Sequence, residues 1–309
     1  MKKEYCALSF SEKERICEEI FTANGPYWHL YTDGTNMQDI FCTEQDFDTG
    51  MWILAGAAST ANAKLITFEL MSNHVHFILS GKEESCHALF NSFKSRLKRI
   101  MQKRGRAINW KEFNAYTLPI ASLKSLRNEI IYTNRNAYVA NRKYTPDSYP
   151  WGGGCAFFNA WLKDLPIRNF DELTIDKRRE LIHSRDISDY SGLKVVCDKV
   201  FIPSFCDIQL GESLFTDPRM YFSLLTRNSE SFSMIAERLH DSLFLTDEEL
   251  FSIITTYISS EYNIQRISLL SPKQKIECAK HLKTKYNATR QQIRRILRIE
   301  DSILSELFP

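Results

Sequence analysis

The chain has 309 residues, enough for a full hydrophobic core and for two domains, and its apolar and charged fractions are those of an ordinary folded protein. A net charge of +2 is too small to imply nucleic-acid binding by bulk attraction, so such a role must rest on local clustering. No apolar run approaches the roughly 20 residues of a membrane span, charges come too early for a secretory signal, and eight cysteines without a CxxC pair read as reduced thiols. These features predict a cytoplasmic protein with no membrane partner.

Ser11 followed by Glu14 reads as a capping box and predicts a short helix over about 12–22, broken at Asn24-Gly25-Pro26. Tyr27 to Thr32 has the aromatic and β-branched character of a strand and closes at Asp33-Gly34. An alanine-rich stretch over 47–63 predicts a helix. A second strand over 63–71 leads into a third over 74–80.

Helical spacing returns over 85–104, with Leu89, Phe93, Leu97, Ile100 and Met101 on one stripe. The other stripe holds Lys94, Arg96, Lys98, Arg99, Lys103 and Arg104, followed by Arg106. A further helix is predicted over 123–135, and the turn-rich stretch from Tyr144 to Gly154 marks a domain margin. Strands and helices that alternate irregularly with short hairpins predict an α+β fold with helices on one face of the sheet.

Beyond about residue 160 the pattern is largely helical. Thr246 with Glu249, Ser271 with Gln274, and Thr289 with Gln292 are further capping boxes, and Pro272 suits a first helical position. The tail breaks near Tyr286-Asn287 and Arg298-Ile299, a helix-turn-helix rhythm. Its last segment, Glu300 to Phe308, is acidic, which disfavours groove docking by that helix. Lysines and arginines from Lys273 to Arg295 lie on the helices before it, so DNA contact there and a protein–protein role both stay open.

Three groups of residues carry candidate chemistry. On a strand, His74 and His76 share a face and Val75 points the other way. Two imidazoles so spaced can share a divalent ion, which needs at least a third ligand, or can be polar residues on a solvated sheet face. His29, on the first strand, is a neighbour that packs in the sheet. Tyr132 and Asn136, at i and i+4, share a helix face. The amide can complete a metal site and the phenol can act as nucleophile if a cation or base helps it ionise; alternatively, the pair is a packed tyrosine and a surface asparagine. The one-signed stripe from Lys94 to Arg106 is either a solvated face or a track for the phosphates of a strand.

Together these pieces resemble the HUH single-strand DNA transposases, specifically the REP-associated tyrosine transposases. Met71-Ser72-Asn73-His74-Val75-His76 is similar to their histidine strand motif, Tyr132 to Ala137 to their tyrosine helix motif, and Tyr149-Pro150-Trp151 to the turn that follows it. The likeness covers roughly residues 26–158. It implies a ferredoxin-like antiparallel sheet (the HUH nuclease fold), His74, His76 and Asn136 as ligands of Mg2+ or Mn2+, and Tyr132 as the nucleophile. The implied substrate is single-stranded DNA next to a hairpin, with phosphates along Lys94, Arg96, Lys98, Arg99, Lys103, Arg104 and Arg106. Trp110, Phe113 and Tyr116 become candidates for base stacking.

Departures from the family pattern are Ser72 and Ala137 for prolines, Asn134 where histidine is common, and Asp33 where a basic residue is frequent. The expected organisation is an N-terminal helix over 1–25, a catalytic domain over 26–158, a helical connection over 159–245 and a helix-turn-helix-like domain over 246–309. The expected activity is cleavage and rejoining of single-stranded DNA through a 5′-phosphotyrosine. A silent hairpin-binding regulator is the alternative, followed by a nicking replication initiator or relaxase. A homodimer stays open, with a site formed within one chain favoured.

Overall fold

The computed structural model describes residues 8–308 apart from 36, 141–142, 146, 228 and 240–244. The chain divides into two compact units, 1–225 and 226–309. In the first, helix α1 (Phe10–Asn24) starts two residues earlier than its sequence signal, with Ser9 and Glu12 forming the capping box instead of Ser11 and Glu14. Glu14 is engaged elsewhere. Its carboxylate accepts both Arg127 Nη groups, at 2.6 and 2.9 Å, and so ties α1 to a later helix.

The central layer is built from β1 (Tyr27–Thr32), α2 (Glu44–Ser59), β2 (Lys64–Leu70), β3 (Val75–Ser80), α3 (Glu83–Lys103) and β4 (Ala115–Ile120) in that order. The four strands form an antiparallel sheet in the order β2-β3-β1-β4. β4 has no counterpart in the sequence expectation. It contains Pro119, which cannot donate to a ladder, and the sheet accommodates it because β4 is an edge strand.

Helices cover both faces of this sheet, which corrects the expectation of helices on one face. Phe77 of β3 meets Phe93 of α3 edge-on, whereas its neighbour His76 meets Tyr132 of α4 (Leu123–Ala140) on the opposite side. The reason lies in β3 itself. All six of its residues are buried, so each of its faces needs a covering layer.

Residues 159–225 belong with those before them to the first compact unit. Around 150–207 the chain closes the free edge of β2: Leu70 N donates to Trp151 O at 3.0 Å and Asp207 N to Leu65 O at 2.7 Å. Covering an exposed edge removes a template for pairing with other chains. Tyr149 and Trp151 serve the same closure, through Tyr149 Oη to Leu70 O (2.6 Å) and Trp151 Nε1 to Asp48 Oδ1 (2.8 Å). A small antiparallel sheet of β5 (Arg168–Asn169), β6 (Lys194–Val196) and β7 (Lys199–Val200) also follows, with the short helices α5 (Ile175–Ile182) and α6 (Ile208–Ser213), and α7 (Pro218–Arg227).

The second unit contains α8 (Ser229–Leu239), α9 (Asp247–Tyr262), α10 (Pro272–Tyr286), α11 (Arg290–Leu297) and α12 (Asp301–Leu307). The three capping boxes read from sequence form at the starts of α9, α10 and α11. Among the described residues no helix is long and apolar enough to cross a membrane.

Candidate functional site

Strand alternation sets the composition of the α4-facing side of the sheet. Register pairs Tyr31 and Glu69 with His76, and His29 and Thr67 with Ile78, so these side chains share one face. The His74 and His76 rings stand edge to face with centroids 5.1 Å apart. Tyr132 projects from α4 onto this cluster, its ring 5.9 Å from His76 and 6.5 Å from His29. Asn136, one turn further along α4 on the same side, is also buried. The face is enclosed and not solvated: His74 is 8 %, His76 0 % and Tyr132 1 % exposed.

Buried polar groups need defined partners, and the histidines have them. His29 Nδ1 lies 2.8 Å from Glu129 Oε2, and His29 Nε2 lies 3.0 Å from His76 Nδ1. With Glu129 as a carboxylate and His29 neutral, the chain of bonds has one consistent assignment. His29 Nδ1–H donates to Glu129, His29 Nε2 accepts from His76 Nδ1–H, and the lone pair of His76 sits on Nε2. His74 Nδ1 is likewise engaged, by Asn73 Oδ1 at 2.7 Å. In both rings Nδ1 is held by a neighbour, which fixes the orientation of the ring.

By its local pattern His29 is a packing residue, and Glu129 carries no motif of its own. Nothing in a local pattern links residues 100 positions apart, and only the β1–β3 pairing brings His29 to His76. A buried-strand histidine beside an i, i+3 pair of Glu129 and Tyr132 on an apolar helix was the available signal. Asn134, at the position where the family carries histidine, has a structural task. Its amide oxygen accepts from Thr67 Oγ1 and its nitrogen donates to Tyr221 Oη at 2.9 Å, tying α4 to β2 and α7.

Among the described residues, no three or more His, Cys, Asp and Glu side chains group so as to hold a metal ion. The expected donor set differs in kind, being two imidazoles and an amide. The two imidazoles fit it, adjacent and each fixed through Nδ1.

The basic stripe divides into two groups. Arg96 pairs with Asp189 at 2.6 Å, and Arg104 and Arg106 both reach Asp46, at 2.7 and 3.0 Å. Arg106 also donates to the Ile40 and Asp39 carbonyls. Lys94 is half-buried and donates to Asn114 Oδ1; burial and the charge of Lys98 hold its ammonium below the usual lysine range. Lys98, Arg99 and Lys103 remain exposed. α3 lies on the sheet face opposite the histidines, so the stripe does not line the cluster. Trp110 and Phe113 are buried against each other, which removes them as base-stacking surfaces. Tyr116 differs: it is 52 % exposed and sits opposite Tyr31 on the histidine side, ring centroids 5.7 Å apart.

Compared with known proteins, the chain matches no family model, no curated protein and no solved structure.

Proposed function

We propose that the first unit is a metal-dependent tyrosine DNA nuclease and strand transferase of the HUH type, acting on single-stranded DNA within one chain. The observation that carries this reading is the placement of the Tyr132 ring against His76, on the same buried face as His74. The element sequence β1-α2-β2-β3-α3-β4 with strand order β2-β3-β1-β4 supports a ferredoxin-like sheet.

His74 and His76 would hold the ion through Nε2, with the Asn136 amide oxygen as third protein ligand. Bound Mg2+ or Mn2+ would polarise the scissile phosphate and offset charge on its oxygens. Tyr132 Oη attacks phosphorus, the P–O3′ bond breaks, and the phenol proton ends on the released 3′-hydroxyl. The product is a 5′-phosphotyrosine that retains the phosphodiester energy, so another 3′-hydroxyl reverses the step without a nucleotide cofactor. Glu129 and His29 keep the lone pair of His76 on Nε2. Tyr116 offers a base-stacking surface at the edge of the site.

The test is a labelled hairpin-flanked oligonucleotide with Mn2+, run on a denaturing gel. A covalent adduct that vanishes in Tyr132→Phe and His76→Ala supports cleavage. One observation favours the second reading, a hairpin-binding regulator: the phenol of the nucleophile is enclosed. Hairpin binding without adduct across substrates and both metals selects that reading.

A further inference from the structure

The second unit carries an arrangement that the chemistry above does not use. Asn287 ends α10 in the left-handed conformation (φ 47°), Ala288 is buried, and Thr289 caps α11. Leu282, Ile293 and Leu297 are fully buried, and α9 packs against both α10 and α11. A three-residue turn between two helices braced by a third is the frame of a helix-turn-helix, with α11 as its second helix.

The outer side of α11 is of one chemical kind. Gln292, Ile293, Ile296 and Leu297 point inward, whereas Arg290, Gln291, Arg294 and Arg295 are exposed, as is Arg298 just beyond. Arg295 is held in a two-pronged pair with Asp247, at 2.6 and 3.0 Å. Arg290, Arg294 and Arg298 have no ion-pair partner among the described residues; Arg290 reaches only the neutral Ser305 hydroxyl, at 3.3 Å. Arg290 and Arg294, one turn apart, stack along one side of the helix, and Arg298, in the left-handed conformation (φ 53°), follows at its end.

A merely solvated face would be favoured by alternating charges. Here like charges repel at i, i+4, and α11 itself contains no acidic residue to relieve them. A row of phosphates would. Arginine and glutamine are also the side chains that pair two-pronged with guanine and adenine edges in the major groove. The next helix, α12, carries Asp301 and Glu306 and is excluded as the reading helix by repulsion.

We propose that α11 binds duplex DNA in the major groove. Arg290, Gln291 and Arg294, toward its N-terminal end, face base edges, and Arg298 contacts the backbone. This site is separate from the single-strand chemistry of the first unit and does not depend on it.

The experiment is fluorescence polarisation of the full chain with a labelled 30-base-pair mixed-sequence duplex in EDTA, from about 50 to 200 mM salt. The triple variant Arg290→Ala, Arg294→Ala, Arg298→Ala is expected to bind at least about tenfold more weakly. Its slope of log affinity against log salt should be shallower by about 1, since the one lost phosphate contact, that of Arg298, removes roughly 0.9. Wild-type affinity in a variant with native circular dichroism overturns the proposal. If the triple variant misfolds, the charge-preserving pair Arg290→Lys, Arg294→Lys decides through selection from a random duplex library. A changed or lost sequence preference supports base reading by α11, and an unchanged preference overturns it. Adduct formation by Tyr132 is read separately and has no part in either outcome.

Discussion

At the scale of single residues, the proposed site depends on two groups that never touch the ion. Glu129→Gln replaces the carboxylate that accepts from His29 Nδ1 with a weaker amide acceptor, and so loosens the order of donors and acceptors that reaches His76. Partners of this kind are worth about 10–100-fold in metal affinity. Titration calorimetry with Mn2+ should therefore show at least a tenfold weaker complex in Glu129→Gln, and affinity equal to wild type would remove the orienting role. Gly34 supplies an independent check from the other histidine. A β-carbon there would lie 2.7 Å from His74 Nδ1 and 3.1 Å from Asn73 Oδ1, while the backbone conformation suits any residue. Gly34→Ala is thus a steric probe of the His74 ring. It should weaken Mn2+ binding with little change in far-UV circular dichroism, and unaltered binding would place His74 outside the ligand set.

At the scale of elements, Asp46 shows why two members of the basic stripe, Arg104 and Arg106, are not open surface. Its carboxylate accepts from the Cys42 and Thr43 backbone amides at the start of α2 and from Arg104 and Arg106 at the end of α3. Asp46→Asn would leave two partly buried guanidinium groups against a neutral amide. Removing one partner of a fully buried pair costs roughly 3–5 kcal/mol; these arginines retain some water contact, so about 2–3 kcal/mol is expected in urea unfolding. A loss within error of zero would mean that the cluster is solvent-screened. The partners lie about 60 residues apart, so no helical periodicity could reveal them. Signals that act within four residues were legible: the capping boxes at Thr246, Ser271 and Thr289, and the shared face of Tyr132 and Asn136. Long-range pairing was not. β4 was hidden by Pro119, whose place at an edge depends on strand order, and β5 to β7 are too short for a period-2 pattern to register. The histidine pair was visible as a motif, but its burial and its link through His29 to Glu129 required the sheet register.

At the scale of the molecule, the first unit encloses the groups that the proposed chemistry must expose. With His76 and Tyr132 almost inaccessible, a phosphodiester reaches the phenol only when α4 draws away from the sheet. That helix is fastened from several directions. Arg127 binds Glu14 of α1 and the Leu214 carbonyl, and Asn134 bridges Thr67 of β2 to Tyr221 of α7. Burial pushes the Tyr221 phenol up, so it stays protonated and neutral in this contact. Tyr221→Phe would leave the buried Asn134 amide lacking an acceptor, at a cost of about 1–3 kcal/mol to the closed arrangement. If opening and unfolding both break this contact, they respond in opposite functional senses. Urea stability should fall by that amount, while adduct formation with a single-stranded substrate should accelerate, by up to about tenfold for each 1.4 kcal/mol lost from the closed state alone. Slower or unchanged adduct formation in a less stable variant would show that substrate reaches Tyr132 by a route that leaves α4 in place.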